Sequence, residues 1–329
     1  MEEEILNFSK TALDLDAAAE TDRIVNMLRQ TVQQRFHRQG AVVGVSGGVD
    51  SAIVLGLCAR AFEPHRVVGI MMPEKESSQE SVTLAQKQAD KYGIRTVNED
   101  ISGALEGAGC YLRRDEAVRR LFPDFGEGWS IKIVLPNDLL KQGSLNVFQL
   151  VLHDPKGIEH RQRLPLNEFR QIVAASNFKQ RTRMSMLYYH AELNNYAVIG
   201  TANKNEHELG FFVKYGDGGS DVSPIEHLFK TQIYQLARYL GVLEEIQART
   251  PTTDTYPGAG SQEEFFYRIP FQLLDAIWLG FDKGVAEAQI AKAVGLETEQ
   301  VERVIRDIVS KKRTTEYLRA AVVEMNTYE

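Results

Sequence analysis

The stretch Ala41-Val42-Val43-Gly44-Val45-Ser46-Gly47-Gly48-Val49-Asp50-Ser51 joins an apolar run, a glycine-rich turn and an apolar segment reaching Phe62. A short run of valines bounded by glycines reads as a buried parallel strand. The apolar segment reads as a helix, Ser51 to Phe62. A strand, a glycine turn and a helix start together make an anion site: the glycines let the backbone approach a ligand, and the first helical N–H groups lack intrahelical acceptors. Ser46 and Ser51 add hydroxyl donors. Asp50 is out of place beside phosphates unless it holds Mg²⁺ between them. The Gly-Lys-Ser/Thr ending of the Walker A loop is missing. The competing reading is a plain strand-to-helix turn capped by Ser or Asp.

Working outward, 18–38 has Ile24, Val25, Leu28, Val32 and Phe36 at helical spacing. Residues 66–72 and 94–97 read as further strands, with a helix at 77–92 stopped by Gly93. Alternating strands and helices predict a doubly wound α/β fold on a parallel sheet. The rhythm breaks between Gly103 and Pro165, where helix signals are sparse. There, 129–135, 146–153 and 158–164 read as strands, the last two joined at Asp154-Pro155-Lys156-Gly157. This stretch is read as a β-rich insertion at 105–165. The α/β rhythm resumes with a helix at 177–194, a strand at 196–200, a glycine loop at 215–220 and a helix at about 226–240. Residues 271–329 read as helical.

The 329 residues carry a net charge of −7, which argues against a general nucleic-acid binder. Cys58 and Cys110 are the two cysteines, so a disulfide framework and a four-cysteine zinc site are excluded. No apolar run approaches membrane-spanning length, and the acidic Met1-Glu2-Glu3-Glu4 start is unlike a signal peptide. The expectation is a reduced, cytoplasmic protein with no nucleic-acid or membrane partner.

Ser46-Gly-Gly-Val-Asp-Ser51 resembles the signature loop of the ATP pyrophosphatases of the adenine-nucleotide α-hydrolase-like fold. Later segments narrow the resemblance to the NAD synthetase family. Asn177-Phe-Lys-Gln-Arg181-Thr-Arg183-Met184 is similar to its Asn-x-x-x-Arg-x-Arg-Met helix motif. Gly200-Thr201-Ala-Asn-Lys-Asn-Glu206 and Lys214-Tyr-Gly-Asp-Gly-Gly-Ser-Asp221 resemble its Gly-Thr-x-x-x-x-Glu and Lys-Tyr-Gly-Asp-Gly segments. Pro224-Ile225, Leu228-Phe-Lys230-Thr-Gln232 and Pro251-Thr252-Thr-Asp254 follow in the family's order. The resemblance covers roughly 17–103 and 170–320. It implies an ATP pyrophosphatase α/β domain at 1–104 and 166–270, and a helical C-terminal segment at 271–329.

The resemblance implies ATP-dependent amidation of deamido-NAD through an adenylated carboxylate, releasing AMP and pyrophosphate, with ammonia as nitrogen donor. It implies ATP contacts from Gly44 to Ser51, Thr201, Lys230 and Thr252, and Mg²⁺ ligation by Asp50 and Glu206. Arg181, Lys214 and Asp221 match positions holding deamido-NAD, and Asp50, Glu206 and Lys214 match catalytic ones. Lys311-Lys312-Arg313 resembles the family's basic tail, with Lys for His, so Lys311 and Lys312 are further candidates. On a helix Arg181 and Arg183 point about 200° apart, so only one need face the site. A homodimer is implied, and ammonia arrives free or from a separate glutaminase subunit. The alternatives are an amide ligase for another carboxylic acid, a tRNA-modifying ATP pyrophosphatase and a silent nucleotide sensor. The insertion could cover the acyl acceptor, extend a dimer or bind a partner.

Overall fold

The computed structural model describes residues 8–135, 139–141, 148–251 and 261–325. The first half alternates as α1 (Ala17–Arg29), β1 (Ala41–Gly44), α2 (Val49–Phe62), β2 (Val67–Met71), α3 (Gln79–Lys91) and β3 (Arg95–Asn98). Asp16 starts α1 by accepting the N–H groups of Ala18 and Ala19, and Glu20 lies in the same turn. The stretch 105–165 contributes α4 (Ser102–Gly107, begun just before it), α5 (Cys110–Arg119), β4 (Ser130–Val134), β5 (Gln149–His153) and β6 (Glu159–Arg163). Then come α6 (Leu166–Asn194), β7 (Ala197–Ile199), α7 (Lys204–Leu209), α8 (Lys230–Leu240) and α9 (Glu244–Ala248). The chain closes with α10 (Phe271–Asp282), α11 (Glu287–Val294), α12 (Thr298–Thr314) and α13 (Glu316–Arg319).

The main sheet has the order β3-β2-β1-β7, and every pair is parallel. Side chains alternate across it as the pleat requires. Ala41 and Val43 of β1 join the cluster under α1, α2, α3 and α8, while Val42 meets Met184, Leu187 and Ala191 of α6 on the other face. The chain leaves β1 toward β2 and returns to β7 on β1's opposite side. The C-terminal edge between β1 and β7 is therefore a topological switch point, where such sheets bind ligands.

The insertion carries its own antiparallel sheet, β4-β5-β6. The hairpin turns where Asp154 N–H donates to the Ile158 carbonyl and Gly157 N–H to that of Asp154; residues 146 and 147 of the expected strand lie outside the described residues. The expected scarcity of helix is corrected by α4 and α5. In α5, Cys110, Tyr111, Arg114, Ala117 and Val118 are buried at helical spacing. The period is hidden because one buried position is an arginine.

Helix α6 also starts earlier than 177. Its 29 residues span about 43 Å. Its C-terminal half lies on the sheet, whereas Phe169, Ile172 and Val173 pack on the insertion. After β4, Leu139 is buried in the C-terminal helical cluster beside Trp278, and its N–H donates to the Arg268 carbonyl. The insertion thus touches both the α/β layer and the C-terminal helices. Helix α8 begins at Lys230 rather than 226, because Gln232 folds back to accept the Phe229 N–H.

Candidate active site

The turn after β1 lies at the switch point. Val45 N–H still pairs with the Ile70 carbonyl, and then the chain turns through Gly47 at φ 78°. A Cβ on Gly47 would stand 2.4 Å from the Ser81 carbonyl oxygen, so the position demands glycine on two counts. Gly48 caps α2 without a side-chain hydrogen bond to the first turn. Gly44 to Ser51 line the cleft. Ser51 Oγ donates to the Gly48 carbonyl at 3.0 Å and lies 3.3 Å from Ser46 Oγ.

Two further helix starts bring charge to this loop. Helix α7 opens with a capping box, in which Asn203 accepts the Glu206 N–H at 3.1 Å and Glu206 accepts the Asn203 N–H at 3.3 Å. The Asn203 amide also donates to Asp50 Oδ1 at 2.9 Å. At the start of α8, Asn205 accepts the Lys230 N–H at 2.9 Å and Asp275 accepts the Thr231 N–H at 2.9 Å. Lys230 is thereby fixed, and its buried ammonium donates to Asp50 Oδ2.

Asp50, Lys230 and Glu206 form one electrostatic unit. Burial pushes the Glu206 carboxyl up to about 8; the Asp50 charge adds to this and Lys230 partly offsets it. Burial disfavours the Lys230 ammonium, but Asp50 and Glu206 outweigh it and hold its pKa above the usual value. Lys230 pairs with Asp50, so when Glu206 sheds its proton the three groups carry one negative charge in excess. Hard carboxylate oxygens in that state suit a divalent cation completed by phosphate and water. Asp50 and Glu206 are the residues that could hold it; among the described residues no cluster of three or more His, Cys, Asp or Glu side chains forms a protein-only metal cage.

The cleft encloses about 800 Å³. Thr201, Arg181 and Lys214 line it, as does Arg183. Both arginines therefore reach it: Arg181 Nε donates to the Lys214 carbonyl at 3.2 Å, and Arg183 Nε to that of Met72 at 3.4 Å. The Lys214 ammonium donates to the carbonyls of Tyr317 and Ala320, each at 2.9 Å. Asp217 accepts the Val213 N–H and so shapes the glycine loop; burial raises its pKa to about 6.

Other candidates sit elsewhere. Asp221 is not among the cleft-lining residues, because its carboxylate accepts the Val198 N–H at 2.8 Å and the Tyr188 hydroxyl at 2.9 Å. Lys311 turns to Asp307 at 2.7 Å and to the Phe266 carbonyl, and Lys312 to Glu208 at 2.5 Å. Neither lines the cleft. Thr252 and Asp254 lie outside the described residues.

Sequence reasoning missed Asn203, Gln262 and Phe169. The Asn203-x-x-Glu206 spacing is a capping-box signal and was available. Gln262, whose amide lies 3.4 Å from Glu206 Oε1, had none. Nor did Phe169, which stacks on the cleft wall at 4.4 Å against Phe148, a residue of the insertion that the sequence reading held could cover the acyl acceptor.

A glycine-rich phosphate loop at a sheet switch point, facing an aspartate paired with a buried lysine and a second buried carboxyl, defines a nucleotide-binding α/β protein. The chain belongs to the NAD synthase family, whose model matches residues 20–117 and 148–319. It is 48% identical over 308 residues to the NH3-dependent NAD+ synthetase of Mesorhizobium japonicum, covering 94% of this chain and 96% of that protein. It is 44% identical over 313 residues to the enzyme of the same name from Rhizobium meliloti, covering 95% and 93%. Among solved structures, the NH3-dependent NAD synthetase of Campylobacter jejuni matches with TM-score 0.61, 21% identity and coverage of 95% and 100%. The NMN synthetase of Francisella tularensis matches with TM-score 0.60, 21% identity and the same coverage. These two share the fold. Residues 118–147, which the family model skips, fall within the insertion.

Proposed function

We propose that the chain is an NH3-dependent NAD+ synthetase, an ATP-consuming ligase that converts the nicotinate carboxylate of deamido-NAD to the amide. The observation that carries this reading is the Asp50–Lys230–Glu206 unit set against the phosphate loop; the near-full-length likeness to enzymes of that name supports it. A carboxylate oxygen attacks the α-phosphorus and pyrophosphate leaves. Ammonia then attacks the acyl carbon, AMP departs with that oxygen, and a proton is released. Such chemistry depends on positioning and charge neutralisation more than on a protein nucleophile.

The loop N–H groups and the Ser46 hydroxyl donate to the ATP phosphates, and the Ser51 hydroxyl does so on exchanging its bond to the Gly48 carbonyl. Lys230 neutralises charge beside them. Thr201, and Thr252 by its family match, contact ATP. Asp50 and Glu206 would hold Mg²⁺, which when bound would offset phosphate charge and act as a Lewis acid. Arg181 and Lys214 bind the dinucleotide's anionic groups, Lys214 exchanging the Tyr317 and Ala320 carbonyls for them. Asp221, Lys311 and Lys312 match dinucleotide-holding positions of the family as well; in this chain Asp221 meets Tyr188, Lys311 meets Asp307 and Lys312 meets Glu208, contacts they would exchange for the substrate.

The enzyme works as a homodimer in the cytoplasm, taking ammonia free or from a separate glutaminase subunit. The outer face of α6 supports the dimer, since Phe178, Tyr189 and Leu193 are exposed along it. Three apolar clusters support the division into an α/β domain, an insertion and a helical segment, with the C-terminal cluster also taking in Leu13, Leu139, Leu209 and Phe229. Incubation with ATP, Mg²⁺, ammonium and deamido-NAD tests the function. Equimolar NAD, AMP and pyrophosphate are expected; ADP and phosphate, or no amide, would refute it.

A further inference from the structure

The segment Pro73–Ser78 between β2 and α3 lies beside the phosphate loop. Glu76, Ser77, Ser78 and Ser81 line the cleft, and the Ser81 carbonyl packs where a Cβ of Gly47 would stand. Ser81 lies in the first turn of α3 and its N–H donates to the Ser78 carbonyl at 3.1 Å, so the segment and that turn together pack against the turn that meets the phosphates.

A buried ionic cluster holds the segment. Arg114 Nη1 donates to both oxygens of Glu76, at 2.5 and 2.7 Å, and its Nε donates to Asp115 at 2.8 Å. Lys179 donates to Glu76 at 2.6 Å and to Glu74 at 3.0 Å. The Tyr111 hydroxyl donates to Glu74 at 2.6 Å. The Lys179 and Glu74 side chains are 2% and 1% exposed. Burial alone would raise the Glu76 pKa, but Arg114 and Lys179 outweigh it and hold the carboxyl below its usual value.

Three elements meet here. Glu74 and Glu76 come from the cleft segment, Lys179 from α6 two residues before Arg181, and Tyr111 and Arg114 from α5. Replacing buried ion pairs by apolar residues often leaves stability unchanged or raises it, so stability alone is a weak account of such a cluster. What these contacts do set is position: the Arg114 guanidinium holds Asp115 through Nε and Nη2 while Nη1 meets both oxygens of Glu76, a side chain that lines the cleft.

We propose that Arg114 is a positioning residue for ATP, acting through Glu76 to hold the 73–81 segment against the phosphate loop, and that this is how the insertion region serves the reaction. The proposal rests on the ATP-ligase reading of the cleft.

Calorimetric binding of MgATP and steady-state kinetics, with thermal melting alongside, test it. Arg114→Met with Glu76→Gln removes one charge of each sign, so the cluster's net charge is kept. This double variant should melt near the wild type yet bind MgATP roughly tenfold to a hundredfold more weakly, with KM for ATP rising in step. Arg114→Lys keeps the charge but cannot span Glu76 and Asp115 together; it should fold and weaken MgATP about threefold. The Arg114→Lys result decides if the double variant does not fold. Wild-type MgATP affinity in the Arg114 variants, even with lowered melting temperatures, overturns the proposal. Wild-type protein that binds no MgATP overturns the reading beneath it instead, so the two failures are distinct.

Discussion

Gly47 and Glu206 show how single positions carry the site. At Gly47 a positive φ coincides with a carbonyl 2.4 Å from where a Cβ would stand. Gly47→Ala should cost about 1–3 kcal/mol in stability from strained backbone and contact and should abolish MgATP binding; a folded variant with normal affinity would contradict the assignment. Glu206 titrates in the physiological range. Its folded pKa, about 8, lies above the unfolded value of 4.5, so the contribution it makes is present below the unfolded value and is lost as pH rises through the folded one. Metal-free protein should therefore melt lower at pH 8.5 than at pH 6.5. Mg²⁺ binding should tighten over that range as the proton is shed, and Glu206→Gln should remove both trends. Titration calorimetry with Mg²⁺ at several pH values checks this, and a flat response in the wild type sinks it. At this scale the phosphate loop was legible, because glycines, serines and an aspartate at that spacing have few uses. The Glu74–Lys179 pair was not, because buried charges look like solvated ones in a sequence and burial depends on distant elements.

Helix α6 is the element that connects the parts. Its lower half is apolar toward the sheet through Met184, Leu187 and Ala191. Its upper half is apolar toward the insertion through Phe169, Ile172 and Val173. The change of packing partner along one helix is why the sequence reading placed its start eleven residues late, at Asn177: the first turns follow Pro165 and belong, by partner, to the insertion. Helix α5 escaped for a related reason, as Arg114 occupies a buried position of its period. Ile172 is fully buried, so Ile172→Ala should destabilise by about 2–5 kcal/mol; chemical denaturation checks this, and a cost below the range would mean the two layers are loosely joined. The outward face makes a separate prediction. Tyr189 and Leu193 are 56% and 67% exposed. Replacing both by Glu should turn a dimer of about twice 37.1 kDa into a monomer by light scattering. A dimer that survives both changes places the interface elsewhere.

Across the whole molecule, the parallel sheet was readable because apolar runs and helical periods alternate at short intervals. The switch point was not readable from periodicity, since it depends on the chain returning to the far side of β1 after more than one hundred intervening residues. The same return brings Asn203 and Glu206, after β7, to the loop after β1. Placing the insertion inside that long connection set its sheet and α5 beside the cleft, where the stack of Phe148 on Phe169 and the Arg114–Glu76 pair now lie. The central claim is that this cleft activates a carboxylate by adenylation. Deamido-NAD carrying ¹⁸O in its nicotinate carboxylate tests it most directly. Mass spectrometry should find one labelled oxygen in AMP, one retained in the amide and none in pyrophosphate; label in pyrophosphate or inorganic phosphate, or unlabelled AMP beside amide product, would contradict it.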